Sequence, residues 1–155
     1  MTVDSYEFVL ARQPFVVRHR VRWSDCDPAG VVFTGKFSEY LLGAVNLFMA
    51  ELGGGDYAKW IETLDVDTPC KGLALTFHSA LWPEDDCVLA CAIGVVRESS
   101  FDITVEATRA LDSRNPGRAV FSGVFSPICI SRSVRKKTPI PQGLLDGLAP
   151  YRNLG

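Results

Sequence analysis

The sequence predicts an α+β domain in which one antiparallel sheet wraps a single long helix. Three observations predict it. An apolar repeat at spacings of three and four runs from Phe37 to Leu52, and four segments rich in Val, Ile, Phe and Thr follow residue 70. The turn-forming stretches between those segments are short, which favours antiparallel neighbours. With 155 residues, 47% hydrophobic and 22% charged, a single core accounts for the chain. One domain is expected over residues 1–155, its core covering about 15–141 and a tail covering 142–155.

The first strand is read over Phe15–Trp23, where Phe15, Val17, His19, Val21 and Trp23 alternate with Arg18, Arg20 and Arg22. Ser24-Asp25-Cys26-Asp27-Pro28-Ala29-Gly30 is dense in turn formers and leads into Val31-Val32-Phe33. The long helix follows, with Thr34 as its N-cap, Phe37, Leu41, Ala44, Val45, Phe48 and Leu52 on one side, and Gly53-Gly54-Gly55 as its stop. Tyr40, Leu42, Leu47 and Met49 make the remaining circumference apolar too, so burial on nearly every side is expected. A short second helix is read over Asp56–Leu64.

Four strands are then expected at Leu73–Leu81, Val88–Arg97, Phe101–Leu111 and Arg118–Ile130. Turns separate them at Trp82–Asp86, Glu98–Ser100 and Asp112–Gly117. In the segment from Val88 both alternating rows are apolar, as in a strand covered on both faces. One chain of this length has little left to cover the second face, which predicts an oligomer. A last helix is read near Leu144–Leu148.

Composition excludes several function classes. Lys plus Arg 16 against Asp plus Glu 18 gives a net charge of −2 and a pI of about 5.7, without the basic excess that nucleic-acid backbone binding needs. The longest uncharged apolar stretch, Tyr40–Ala50, has 11 residues, whereas a membrane span needs about 20. The acidic start, Met1 to Glu7, has no signal-peptide pattern, and a cytoplasmic protein is expected. Five Cys, an odd number without a C-x-x-C pair, and two His make neither a disulfide framework nor a zinc site. No cofactor is implied.

Chemistry is expected at the loop Asp25–Gly30, which puts carboxylates just before a helix whose first N–H groups lack intrahelical partners. Such N–H groups polarise a carbonyl and stabilise an oxyanion, a nearby carboxylate acts as base or nucleophile, and Gly30 lets backbone approach a ligand. Asp at a helix entrance also has a plain structural use, as a turn and cap residue. Cys26 lacks a neighbouring base and reads as a small apolar residue, and His78 reads as a structural or surface histidine. Arg132, Arg135, Lys136 and Lys137 form a basic run suited to phosphates. Phe33, Tyr40, Phe48, Trp60 and Trp82 line either an acyl pocket or plain core.

Trp23-Ser24-Asp25-Cys26-Asp27-Pro28-Ala29-Gly30-Val31-Val32-Phe33, followed by a long apolar helix and four strands, resembles the 4-hydroxybenzoyl-CoA thioesterase family of hotdog-fold acyl-CoA thioesterases. The resemblance covers roughly Phe15–Pro141 and includes, more weakly, Lys137-Thr138-Pro139-Ile140-Pro141. It implies five antiparallel strands around a central helix, homodimers or homotetramers, and sites at the subunit interface. It further implies hydrolysis of an acyl-CoA, with Asp27 as the catalytic carboxylate and the backbone N–H of Thr34 as the oxyanion contact. Gly30, Phe33, Arg132, Arg135 and Lys136 would then bind substrate. Thr34 stands where the family usually has Tyr or His, and Gly35-Lys36 where it usually has Pro-Asn or Ala-Ser. The rival readings are a non-catalytic acyl-CoA-binding dimer and a hotdog hydratase, the latter lacking an Asp and His pair at a suggestive spacing.

Overall fold

The computed structural model describes residues 6–110 and 117–153. In chain order the elements are β1 (Glu7–Arg12), β2 (Phe15–Arg20), a 3-10 turn (Trp23–Asp25), α1 (Gly35–Leu52), α2 (Tyr57–Thr63), β3 (Val66–Asp67), β4 (Cys70–Phe77), β5 (Asp86–Val96), β6 (Phe101–Arg109), β7 (Ala119–Pro127), β8 (Ile130–Ser131) and α3 (Gln142–Leu148). The expected turn at Asp112–Gly117 lies, apart from Gly117, outside the described residues.

One antiparallel sheet runs β1-β2-β5-β6-β7-β4, and β3 pairs with β8 separately. The five expected strands are β2, β4, β5, β6 and β7, and β1 adds a sixth beside β2. The concave face takes Phe15 and Val17 from β2, Cys87, Leu89, Cys91 and Ile93 from β5, and Phe101, Ile103, Val105 and Ala107 from β6, all buried. That alternation with the half-buried outer row is why these segments are strands with one covered face.

Helix α1 lies across this face. Phe37, Tyr40, Leu41, Ala44, Val45 and Phe48 recur at helical spacing and are its buried stripe. Gly123 of β7 lets it come close, because a Cβ there would run into Leu41 Cδ1. Past Leu52 the chain turns through Gly54 (φ 67°) and Gly55 (φ 106°), and Asp56 caps α2 by accepting the Lys59 N–H (3.1 Å).

One expectation needs correction. Helix α1 is not enclosed on nearly every side: Leu47, Met49 and Leu52 are half-buried at the core's margin, and Leu42 and Asn46 are exposed. A single sheet covers only the stripe it faces. As expected of a single chain, β5 has one covered face, its outer row being half-buried at Val88, Ala92 and Gly94 and exposed at Ala90.

The sheet has two open edges, β1 and β4. Along β4, Leu73 is 46% and Phe77 51% exposed although both alternate toward the helix side, where Phe77 meets the Phe37 ring at 5.8 Å. No helix among the described residues is long and apolar enough to cross a membrane.

Candidate active site

The candidate loop is a hairpin with three residues at its tip. Phe33 N–H donates to the Asp25 carbonyl (3.0 Å), Asp27 N–H to the Val31 carbonyl (2.9 Å), and Cys26 bridges Val32 between them. At the tip, Gly30 N–H donates to the Asp27 carbonyl (2.9 Å) and Gly30 has φ 85°. This is the three-residue hairpin loop in which a turn is closed by a left-handed residue, and it explains why Asp, Pro and Gly occur in that order. The Asp27 carboxylate accepts the Ala29 N–H through Oδ1 (2.9 Å), which pins the side chain to its own turn. A bond from Val32 N–H to the Leu81 carbonyl (2.9 Å) ties the hairpin to the segment after β4.

The second arm runs straight into α1. Thr34 occupies the N-cap position, but its φ of −56° and ψ of −33° are already helical and its side chain makes no capping bond. A capping side chain needs an extended backbone, so Thr34 marks the start of the helix without serving it as a cap. Neither the Thr34 nor the Gly35 N–H has an acceptor among the described residues. These donors, with the positive end of the helix behind them, adjoin the hairpin that carries Asp27. The Phe33 ring, 55% exposed, leans over the first helical residue, and any side chain at Gly35 would overlap it.

Beneath the hairpin lies a polar group that the spacing did not assign. Asp25 is 9% exposed, the one buried carboxylate among the described residues, and accepts the Tyr40 hydroxyl (2.7 Å) and the Arg22 N–H (3.2 Å) through Oδ2. The Tyr40 ring packs against His19 at a tilt of 39° with centroids 4.0 Å apart, and His19 Nε2 stands 3.9 Å from Asp25 Oδ2, too far for a hydrogen bond. Burial first, then the bond to Asp25, pushes the Tyr40 phenol far above its ordinary value, so it remains a donor. His19 was legible as inward-facing from the alternation of β2, and Tyr40 as buried from the helical repeat. Their meeting at Asp25 requires the tertiary fold.

With this geometry in view, the comparison is decisive: the sequence model of the thioesterase-like superfamily matches residues 21–148. The chain belongs to that superfamily. Among curated proteins, none matches the sequence. A thioesterase-superfamily protein from Jannaschia sp. CCS1 is 26% identical with a TM-score of 0.76, covering 90% of this chain and 94% of its own. A 1,4-dihydroxy-2-naphthoyl-CoA thioesterase from Synechocystis is 20% identical, TM-score 0.73, covering 87% and 95%. The 4-hydroxybenzoyl-CoA thioesterase of Pseudomonas sp. strain CBS-3 is 17% identical, TM-score 0.72, covering 85% and 96%. Thus the fold is the hotdog fold, and thioester hydrolysis is the class of activity this membership supports.

Of the site residues expected for this thioesterase-like chain, Asp27, Gly30, Phe33 and Thr34 come together on the hairpin and helix start. Arg132, Arg135 and Lys136 do not join them. They sit in an exposed turn whose backbone is held by bonds from Ser131 N–H to the Lys136 carbonyl (2.8 Å) and from Arg132 N–H to the Asp65 carbonyl (3.0 Å). The Asp65 carboxylate accepts from Ser133 and Ser131, and those bonds hold it below the ordinary carboxylate range. Asp65 lies just before β3, which leads into the Cys70 end of β4, whereas the hairpin hangs from Leu81, past the Phe77 end. The eight residues of β4 separate the two by roughly 26 Å of strand at the usual rise.

The aromatic candidates divide as well. Tyr40 and Phe48 are core, Trp60 is half-buried against the core, and Trp82 is partly exposed with the Arg118 guanidinium 5.8 Å above it. His78 is exposed and bonded to Ser122 (3.0 Å). All five cysteines are free, and no three His, Cys, Asp or Glu side chains among the described residues converge as metal ligands.

Cys26 shares the hairpin with Asp27, so its role is open to a direct check. Partial burial foremost, then the negative charges of Asp25, Asp27 and Asp85, raises the Cys26 thiol above its ordinary value, the wrong direction for a thiolate nucleophile. Cys26→Ala is expected to keep hydrolytic kcat within about twofold of the parent. A loss of 10²-fold or more in a steady-state assay would instead put Cys26 in the chemistry.

Proposed function

We propose that this protein hydrolyses acyl-CoA thioesters to a carboxylic acid and CoA at the hairpin and the start of α1. The observation that supports the reading is the pairing of Asp25 and Asp27 with Phe33 and Val31, which folds the arm carrying Asp27 against the arm that leads into Thr34 and Gly35, whose N–H groups have no acceptor among the described residues. The thioester carbonyl oxygen takes the Thr34 N–H, with the Gly35 N–H adjacent, and the helix dipole favours the negative charge that develops there. Asp27 Oδ1 is occupied by Ala29, while Oδ2 has no donor among the described residues and is the oxygen available for chemistry.

Two routes fit that oxygen. Asp27 attacks the carbonyl carbon, expels the CoA thiolate and forms an acyl-aspartyl anhydride that water opens. Alternatively Asp27 takes a proton from the water that attacks, and the tetrahedral oxyanion collapses with the thiolate leaving. Both end in the free acid and CoA, and both need the same carboxylate and the same N–H donors. Phe33, over the helix start, flanks the acyl group, and Gly30 keeps the tip of the hairpin free of side chain.

We further propose that the site is completed by a second copy of the chain. Edge strand β4 leaves its outer backbone groups unpaired and two large apolar side chains, Leu73 and Phe77, exposed. A two-fold axis pairing β4 with its copy sets the Cys70 end of one chain beside the Phe77 end of the other. The basic turn with Arg132, Arg135 and Lys136 then approaches the partner's hairpin, and the CoA phosphates bridge the two chains.

Asp27→Asn is expected to lower hydrolysis by at least 10²–10³-fold, measured as thiol release from a panel of aromatic, short and long acyl-CoA esters, with far-UV CD and oligomer size unchanged. Release at the parent rate sinks the assignment; acyl-CoA binding by the parent without any thiol release favours a non-catalytic binding protein. Chains carrying Asp27→Asn and chains carrying Arg132→Ala, Arg135→Ala and Lys136→Ala, each poor alone at low acyl-CoA, should regain activity when refolded together. A mixed dimer holds one site with both halves intact; if both halves came from one chain, mixing would restore nothing.

A further inference from the structure

We propose that Tyr40, acting through Asp25, is the positioning residue of the site, and that this buried pair sets where the Asp27 carboxylate stands relative to the start of α1. The inference rests on the reading that Asp27 acts on a thioester held at that helix start.

Asp25 is a hub for the three parts that must keep register. Its carboxylate accepts the Arg22 N–H (3.2 Å) from the 3-10 turn and the Tyr40 hydroxyl (2.7 Å) from the second turn of α1. Its carbonyl accepts the N–H of Phe33 (3.0 Å), the residue before Thr34. Asp27 lies two residues further along the same arm. The proposed oxyanion donors and the proposed carboxylate are therefore fastened to one buried anion, and one of the fastenings is a side-chain bond reaching up from the helix itself.

That bond has no substitute. Tyr40 is 3% exposed, so water does not replace its hydroxyl, and an O–H donated to a carboxylate is roughly twice as strong as a neutral bond. The side-chain nitrogen His19 Nε2 is buried without a hydrogen-bond partner and stands 3.9 Å from Asp25 Oδ2, outside bonding range. Without the Tyr40 hydroxyl, Asp25 keeps only main-chain donors, and the side-chain link between α1 and the arm that carries Asp27 is lost. A displacement of about 1 Å at a reacting group costs on the order of 10²-fold in rate, which makes catalysis a sensitive reporter of this fastening.

Tyr40→Phe removes one oxygen and keeps the ring against His19 and Phe37. The expected result is a fall of about tenfold or more in kcat, KM within about twofold, and an unchanged oligomer. Because loss of the hydroxyl alone could also weaken the fold, Asp25 supplies a second readout. Asp25→Asn keeps an oxygen for the Tyr40 hydroxyl and should retain several-fold more kcat than Asp25→Ala, a conservative rescue that a purely structural role does not require. Parental kcat per folded Tyr40→Phe enzyme, whatever its Tm, overturns the proposal, and so does equal kcat in the Asn and Ala variants at position 25. Asp27→Asn assayed alongside separates the two readings: if it hydrolyses normally the underlying function fails, and if it is inactive while Tyr40→Phe is unaffected only the positioning role fails.

Discussion

The arm that carries Asp27 lies against the arm that enters helix α1 because the chain folds back on itself between Asp25 and Phe33. Two main-chain hydrogen bonds close that fold, and Gly30 supplies the left-handed residue that its three-residue tip demands. The arrangement leaves little freedom. A helix start offers donors without acceptors, and the hairpin delivers an acceptor within a few residues of them, pinned by its own turn. A one-residue change in the length of the tip would alter the pairing of Asp27 with Val31 and re-aim the carboxylate.

The rest of the fold supplies a rigid mount for this meeting point. Sheet and helix are locked by large buried side chains, with Phe37 stacked on Phe121 at 5.3 Å and Leu41 seated over Gly123, so the first turns of α1 are fixed against β7. The hairpin is attached to the segment after β4 through Leu81 and to the helix through Asp25 and Tyr40. Packing, main-chain pairing and one buried charge-assisted bond thus converge on the same few ångströms, and the chemistry proposed for this thioesterase-like chain depends on all three.

Much of this was legible in the residues. Period two exposed β2, period three to four exposed α1, and the Asp-Cys-Asp-Pro-Ala-Gly string marked the hairpin. Strand β1 was not legible because it is an edge strand with its apolar residues outward, Phe8 and Leu10 being exposed while Glu7 and Val9 are half-buried. The burial of α1 was overestimated since Leu42, Leu47 and Met49 look like core in a helical repeat, yet the sheet faces only one stripe. At the site, local spacing marked the loop Asp25–Gly30 before the helix, and the family resemblance singled out Asp27, Phe33 and Thr34 within the same short stretch. Local reading could not show that Tyr40 donates its hydroxyl to Asp25, fifteen positions away, nor that the basic turn at Arg132 folds to the far end of β4. Distance along the chain carries no information about either.

The proposed chemistry places the thioester carbonyl between the Asp27 carboxylate and the first N–H groups of α1. A crystal structure of the protein with an acyl-CoA analogue whose sulfur is replaced by a methylene tests it most directly. The analogue's carbonyl oxygen is expected about 2.7–3.2 Å from the Thr34 or Gly35 nitrogen, with an Asp27 oxygen, or a water bound to it, facing the carbonyl carbon. A carbonyl bound elsewhere, with Asp27 turned to solvent and those N–H groups untouched by ligand, would contradict it.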